Sequence, residues 1–109
     1  MRRVQQSPWS PEDQPDPFVW LQGWYVSQCN NDWAHRYGIK IETLDNPGWS
    51  VEIDLTGTPL EERRRDRAEL HRDEHDWHVS WVESSIFNGV CGPTNLGELI
   101  HVFRLWVQS

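Results

Sequence analysis

Residues 37–55 read YGIKIETLDNPGWSVEIDL, and this stretch decides the fold because its pattern predicts a β-hairpin. Two runs of alternating apolar and polar residues flank Asn46-Pro47-Gly48, a sequence typical of a tight turn. Directly opposed residues of an antiparallel pair share a face, so apolar must oppose apolar. The loop is therefore odd, three or five residues, with a positive φ at Gly48. The expected pairs are Thr43 with Val51, Ile41 with Ile53, Ile39 with Leu55, Glu42 with Glu52 and Lys40 with Asp54.

A second hairpin is predicted around residues 73–76, with an even loop. On its return strand Trp77, Val79 and Trp81 alternate with more polar residues, so they are expected to point into the core. The expected pairs are Leu70 with Val79, Ala68 with Trp81, and His71 with His78. A short fifth strand is expected over residues 86–90, ending before Gly92-Pro93.

Two helices are predicted to flank these strands. The first has Asp16 as N-cap and Pro17 at its first position, and ends near Cys29 or Asn30. Its apolar stripe is Trp20, Leu21, Trp24 and Tyr25, with Cys29 on or beside it. The last helix begins after Asn95, which forms a capping-box pattern with Glu98. Its apolar stripe is Leu96, Leu99, Ile100, Phe103, Trp106 and Val107.

The element order predicts an α+β fold, in which an antiparallel sheet of four to five strands is covered on one face by the N-terminal and C-terminal helices. Residues 1–15 are rich in proline and polar residues without periodicity, so we expect a mobile tail there. Residues 16–109 are then a single domain, of a size that can bury a modest core.

Composition argues against several classes of function, although moderate acidity can also serve only to keep a small domain soluble. Seventeen acidic against ten basic residues give a formal charge of −7, which disfavours nucleic acid and favours a basic partner. Two cysteines are too few for a disulfide framework and no secretory leader is recognised, so a cytoplasmic protein with reduced thiols is expected. No apolar run approaches the roughly 20 residues that span a bilayer. We expect a monomer or a weak dimer.

The chain has eight tryptophans. Each buries about 150–250 Å² when enclosed, so a few of them can supply much of a small core. Those expected in the core are Trp20, Trp24, Trp49, Trp77, Trp81 and Trp106. Trp9 and Trp33 lie outside the periodic elements and are candidate aromatic anchors for a partner, although Trp33 also suits packing over a helix end.

Catalytic and metal-binding patterns are weak. His71 and His78, opposed in the expected register, are candidate metal ligands with Glu69 or Asp76 as an oxygen ligand. Their spacing matches no zinc pattern, and a solvated histidine pair explains the sequence equally well. Cys29 with His35 suggests a thiol nucleophile, but Cys29 falls on or beside a buried stripe. The sequence therefore predicts no enzyme and no cofactor.

The uncovered face of the sheet is the candidate binding surface. It is expected to display Lys40, Glu42, Glu52, Asp54, Glu69, His71, His78 and Ser80. Carboxylates on rigid strands steer basic partners and raise association rates. The candidate contacts are Glu42, Glu52, Asp54 and Glu69.

Four segments carry a resemblance to a known family: WLQGWYVSQCNNDW, YGIKIETLDNPGWSVEIDLTGT, DWHVSWVE and FNGVCGPTNLGELIHVFRLW. In this order they resemble the immunity protein 53 family of bacterial polymorphic toxin systems, over residues 18–107. The resemblance implies a small cytosolic protein that binds and neutralises a cognate toxin domain. The alternatives are a small metal-binding or catalytic protein that uses His71 and His78, and a protein-interaction module unrelated to toxins.

Overall fold

The structure of the protein is a computed structural model that describes residues 16–29 and 38–109. Its elements are α1 (Pro17–Gln28), β1 (Ile39–Leu44), β2 (Gly48–Asp54), β3 (Ala68–Asp73), β4 (Asp76–Glu83), β5 (Ile86–Cys91) and α2 (Leu96–Gln108). The predicted α+β fold with two helices and an antiparallel sheet is confirmed. The predictions for residues 1–15, Trp33 and His35 lie outside the described residues.

The five strands form one antiparallel sheet in the order β1-β2-β5-β4-β3. The short last strand is therefore central, and it joins the two hairpins by pairing with the second strand of each. Helix α2 packs closely on β5, because a Cβ atom at Gly89 would lie 2.8 Å from both methyl carbons of Leu99. A larger residue at position 89 would push α2 away from the sheet.

The first hairpin has the predicted parity, but its predicted register is wrong by two residues. Its loop is the three residues 45–47. The observed pairs are Ile39 with Ile53, Lys40 with Glu52, Ile41 with Val51, Glu42 with Ser50 and Thr43 with Trp49. Alternation specifies only which residues share a face, whereas the centre of the loop, which is Asn46 and not Pro47, specifies which of them are opposed. The predicted faces of Glu42, Glu52 and Asp54 are consequently correct.

The second hairpin has an even loop, as predicted, but a β-bulge between His71 and Asp73 shifts its register by one residue. The observed pairs are Ala68 with Ser80, Glu69 with Val79, Leu70 with His78 and His71 with Trp77. A one-residue shift moves side chains to the opposite face. His71 and His78 therefore lie on opposite faces of the sheet, and the predicted histidine pair is wrong.

The turn between β4 and β5 determines the orientation of β4. Ser84 and Ser85 both have positive φ, 56° and 62°, and form a two-residue turn that pairs Glu83 with Ile86. The pairs that follow are Val82 with Phe87, Ser80 with Gly89 and His78 with Cys91. Because Phe87 and Gly89 face α2, their partners on β4 face the helices too.

Trp77, Val79 and Trp81 consequently point away from the helices, and the prediction that they point into the main core is wrong. The prediction that His78 and Ser80 lie on the uncovered face is wrong for the same reason. Apolarity misleads here because the helix-facing residues of β4 are less apolar than the residues that face outward.

The main core lies between the helices and the sheet. Its buried residues are Leu21, Trp24, Val51, Ile53, Leu55, Leu60, Phe87, Cys91, Leu99, Ile100, Phe103 and Trp106. Phe103 is central, with ring centroids 5.1 Å from Trp24 and 4.9 Å from Phe87. Trp20 and Trp49 pack against this cluster, so four of the six tryptophans predicted for the core belong to it or border it.

The helix ends follow the predicted caps in part. The Asp16 carboxylate accepts a hydrogen bond from the Phe18 amide at 2.8 Å, and Pro17 begins α1. Tyr25 and Cys29, placed on the buried stripe of α1 by the sequence, are instead exposed. Asn95 is the N-cap of α2, but its side chain makes no cap hydrogen bond and instead accepts one from the Trp77 amide.

Neither described helix is both long enough and apolar enough to cross a membrane.

Candidate docking surface

The sheet face that points away from α1 and α2 is here named the open face. Within residues 16–29 and 38–109, both helices pack on the opposite side. By strand register, the open face carries Lys40, Glu42 and Leu44 of β1, Ser50, Glu52 and Asp54 of β2, Ile86, Asn88 and Val90 of β5, Trp77, Val79 and Trp81 of β4, and Glu69 and His71 of β3.

The part of the open face on β4, next to the central strand β5, is apolar. Val79 is only 3% exposed, although it does not belong to the main core. On the same face, Trp77 and Trp81 lie two residues to either side of it, and Val90 is its partner on β5. The residues Trp77, Val79 and Trp81 are here named the aromatic strip. The open face therefore carries packed apolar side chains as well as solvated polar ones.

Both indole rings of the aromatic strip are held by neighbours on the β3 side. The imidazole of His71 stacks on Trp77, with centroids 6.0 Å apart and an interplanar angle of 13°. The guanidinium of Arg67 lies 5.5 Å from the ring centroid of Trp81, whose Nε1 donates a hydrogen bond to Glu83 at 3.3 Å. Side chains that are already ordered lose less entropy when a partner binds.

The predicted acidic contacts do not form one patch. Glu42, Glu52 and Asp54 lie together on β1 and β2, where Lys40 is the Cα partner of Glu52. Glu69 lies on β3, three strand spacings from β2, or about 14 Å. The aromatic strip separates Glu69 from the other three carboxylates.

Glu69 also differs from the others in its charge environment. Its carboxylate accepts hydrogen bonds from Arg67 at 2.6 Å and lies 3.1 Å from His71 Nε2. The hydrogen bond from Arg67, and to a lesser extent the contact with His71, hold the pKa of Glu69 below its ordinary value. The β3 side of the open face therefore has mixed charge, whereas the β1 and β2 side is mainly acidic.

The polar side chains on the covered side of β4 have their own partners. Ser80 is fully buried, and its Oγ accepts a hydrogen bond from Arg65 Nε at 3.0 Å. His78 Nε2 lies 3.5 Å from a Glu98 oxygen of α2, and its buried Nδ1 has no hydrogen-bond partner in the described part of the chain. Burial lowers the pKa of His78, outweighing the attraction of Glu98, so the ring is held neutral.

The bulge in β3 places Arg72 beside the start of α2. Its guanidinium contacts Asp76 at 2.8 Å and also contacts Glu98, and Asn95 donates to Asp76 at 2.8 Å. The hydrogen bond from Arg72 lowers the pKa of Asp76. Asp76, a predicted metal oxygen ligand, therefore takes part in an ion-pair network that ties the second hairpin to α2.

The described residues contain no group of three or more histidine, cysteine or acidic side chains that could hold a metal ion. Both cysteines have free thiols, and burial raises the pKa of the Cys91 thiol to about 12. A thiol so buried and so weakly acidic is a poor nucleophile.

Stability should fall as the pH drops below about 6.5, the ordinary histidine pKa, because the unfolded chain then takes up a proton that folded His78 resists. Stability decreases towards acid pH because the pKa of His78 is lower in the folded chain than in the unfolded chain. Thermal melts at pH 7.5 and 5.5 should show a smaller pH effect for His78→Gln than for the unaltered protein. His75→Gln, at an exposed turn position, is the control, and an equal change in both variants would contradict the assignment.

Comparison with known proteins identifies the family to which the chain belongs. A family model described as immunity protein 53 matches residues 18–108, which is most of the chain. The chain belongs to the immunity protein 53 family. No match was found among curated proteins or among solved structures. Membership confirms the resemblance drawn from the sequence, and it indicates a role in toxin neutralisation for this immunity protein.

The residues of this immunity protein that sequence reasoning missed as binding candidates are Trp77 and Trp81. The signal that could have found them is the short segment between β4 and β5. A two-residue turn at Ser84-Ser85 places Val82 opposite Phe87, and hence Trp81 on the other face. The inward placement followed instead from the alternation of tryptophan and valine alone.

Proposed function

We propose that this immunity protein neutralises its cognate toxin domain by binding it through the open face and covering the toxin's active surface. The observation that carries the proposal is the aromatic strip. Trp77 and Trp81 point away from the main core, yet each is held in place by a neighbouring side chain of the β3 side.

The arrangement of the open face matches the anatomy of a protein–protein interface. Binding energy is concentrated in a few central residues, among which tryptophan and arginine are enriched, and a polar rim surrounds them. Here the aromatic strip lies on β4, with the carboxylates of β1 and β2 to one side of it and Arg67 with Glu69 to the other. We infer that the two tryptophans are the anchors and that the charged groups form the rim.

The size of the face sets the extent of the complex. Five strands about 4.8 Å apart, each about 20 Å long, give a flat area of roughly 400–500 Å². A standard interface takes about 800 Å² from each partner. The toxin should therefore contact adjoining loops as well as the open face.

The charge of the open face favours a basic toxin surface. Glu42, Glu52 and Asp54 stand on strands that cannot move independently, and the whole chain has a formal charge of −7. A fixed field of this sign accelerates the approach of a basic partner and disfavours nucleic acid. We propose that these three carboxylates orient the toxin before the tryptophans make contact.

Neutralisation in this account requires binding alone. No chemical step, cofactor or membrane enters the proposal, and the cytoplasm is the compartment in which the complex would form. The proposal needs one copy of the immunity protein for each toxin domain.

Reversing two carboxylates should weaken the complex. Glu52→Lys combined with Asp54→Lys should lower affinity by about tenfold and flatten its salt dependence, because rim charges act mainly on association. Calorimetry at two salt concentrations, with the toxin domain encoded beside the immunity gene, measures both effects. Glu62→Lys with Glu74→Lys makes the same change in net charge on exposed residues outside the open face. An equal loss of affinity in this control pair would show that the effect follows net charge, and would contradict the role proposed for Glu52 and Asp54.

Co-expression with the neighbouring open reading frame tests the function itself. An immunity protein should restore growth to cells that express the toxin and should co-purify with it. Failure of both would favour an interaction module unrelated to toxins. Elemental analysis of the purified protein addresses the metal-binding alternative, since a stoichiometric transition metal would contradict a role through binding alone.

A further inference from the structure

Among the described residues, the outer edge of the sheet at β1 has backbone hydrogen-bonding groups that pair with no other strand. The Asp54 amide donates to the Gly38 carbonyl at 3.0 Å, so residues of even number on β1 direct their backbone groups towards β2. Ile39, Ile41 and Thr43 must then direct their N–H and C=O groups outward. In the described sheet no strand pairs with this edge.

The two edges of the sheet differ in how they are protected. The β3 edge is interrupted by the bulge at Arg72 and carries Glu69 and His71, both features that discourage further pairing. The β1 edge pairs regularly with β2 from Ile39 to Leu44 without a bulge, and Ile41 is 36% exposed. A regular, partly apolar edge is a template for another strand.

We propose that the β1 edge pairs with the β1 edge of a second copy of this chain, antiparallel and centred on Ile41. In this register Lys40 of each copy lies directly opposite Glu42 of the other, and Ile39 lies opposite Thr43. The outward backbone groups of Ile39, Ile41 and Thr43 then form hydrogen-bonded pairs across the two-fold axis, with two hydrogen bonds in each pair.

Charge selects this register over its neighbours. In an antiparallel pair, a residue whose N–H and C=O groups point outward must face another such residue. The two-fold axis must therefore pass through a residue of β1 and not between two residues. A centre at Lys40 would oppose two lysines, and a centre at Glu42 would oppose two glutamates, which is destabilising. The centre at Ile41 instead makes two attractive pairs, so the Lys-Ile-Glu sequence of β1 is complementary to itself.

Self-complementarity is the reason to assign a second copy, rather than a strand of the toxin, to this edge. The assembly would continue the sheet from one copy into the other and leave the aromatic strip of each copy free, because the strip lies on β4 and not on β1. Glu42 is also one of the carboxylates proposed above to orient the toxin, so the dimer is first tested on the chain without toxin.

Sedimentation of the full chain without toxin tests this proposal, over protein concentrations from micromolar to several hundred micromolar. We expect a reversible dimer, and Glu42→Lys should raise its dissociation constant about tenfold, because attractive pairs become repulsive. Within one chain Glu42 faces Ser50, so this change creates no like-charge pair there. Adding Lys40→Glu together with Glu52→Lys reverses both charges across the dimer, keeps positions 40 and 52 oppositely charged within each chain, and should recover most of the affinity. Circular dichroism confirms that each variant is folded.

Amide hydrogen exchange supplies a readout that dimerisation elsewhere would not produce. At high concentration the amides of Ile39, Ile41 and Thr43 should become protected, while those of Lys40 and Glu42 are already protected by β2. A monomer at all concentrations would overturn the proposal, as would a dimer unaffected by Glu42→Lys. Protection of these amides that arises only when toxin is added would also overturn it and would assign the edge to a toxin strand.

Discussion

Ile53→Asp should leave the domain unfolded at room temperature. Ile53 is 0% exposed and lies between Ile39 and Phe87 on adjacent strands, at the centre of the face that the helices cover. An aspartate there loses the buried side chain, which costs about 2–5 kcal/mol, and adds an unpaired buried charge or a protonation penalty of similar size. The sum is comparable with the roughly 5–15 kcal/mol that stabilises a small domain. Circular dichroism and gel filtration should show a chain without a cooperative melt.

The adjacent residue supplies the control for Ile53→Asp. Glu52 is exposed on the open face, so Glu52→Asn should melt within a few degrees of the unaltered protein. The contrast between neighbouring positions tests the assignment of faces directly. If Ile53→Asp were soluble and melted cooperatively, the helices would not cover the face on which it lies.

Trp81→Ala should weaken toxin binding more than any single charge change on the open face. Truncating a tryptophan anchor costs about 2–4 kcal/mol, or roughly 30-fold to 1,000-fold in dissociation constant. The loss should appear mainly as faster dissociation, measurable by surface plasmon resonance. Trp77→Ala should act in the same direction, since its ring occupies the other end of the aromatic strip.

Phe18→Ala is the matched control for the tryptophan variants. Phe18 is an exposed aromatic residue of α1, on the opposite side of the sheet from the aromatic strip. It should leave the dissociation constant unchanged within about twofold. The melting temperature of Trp81→Ala separates a lost contact from a lost fold, and unchanged affinity in a folded Trp81→Ala variant would exclude the aromatic strip as the anchor.

The sequence predicted faces more reliably than pairs. Alternation around Asn46-Pro47-Gly48 correctly placed Ile53 inside and Glu52 outside, because a strand has a side-chain period of two. It could not place the centre of the loop, since a loop centred on Pro47 and a loop centred on Asn46 preserve the same parity. The register was therefore misplaced by two residues while every predicted face in the first hairpin was correct.

The second hairpin shows what alternation cannot detect. One extra residue at the bulge beside Arg72 reverses the relation between β3 and β4. The bulge is stabilised by contacts of Arg72 with Asp76 and with Glu98 of the distant helix α2, and a tertiary ion pair has no local sequence signature. This is why the sequence pattern predicts His78 as the partner of His71, whereas the observed partner is Trp77.

The candidate site was predicted in part for the same reason. The carboxylates of β1 and β2 were assigned to the outer face from the first hairpin alone. The sequence does not predict the aromatic strip as a surface. Tryptophan and valine at alternate positions are typical of the buried face of a strand, and the residues between them on β4, His78 and Ser80, are polar. Contacts with Glu98 and Arg65, which are distant in the sequence, help to make the burial of those polar residues possible.

Hydroxyl-radical footprinting of tryptophan side chains, with and without the cognate toxin domain, tests the central claim most directly. If the open face is the docking surface, Trp77 and Trp81 should lose reactivity in the complex, while exposed Phe18 and Tyr25 of α1 should not. Unchanged reactivity of both tryptophans together with protection of the α1 rings would contradict the claim, and would assign toxin binding to the helical side of the protein.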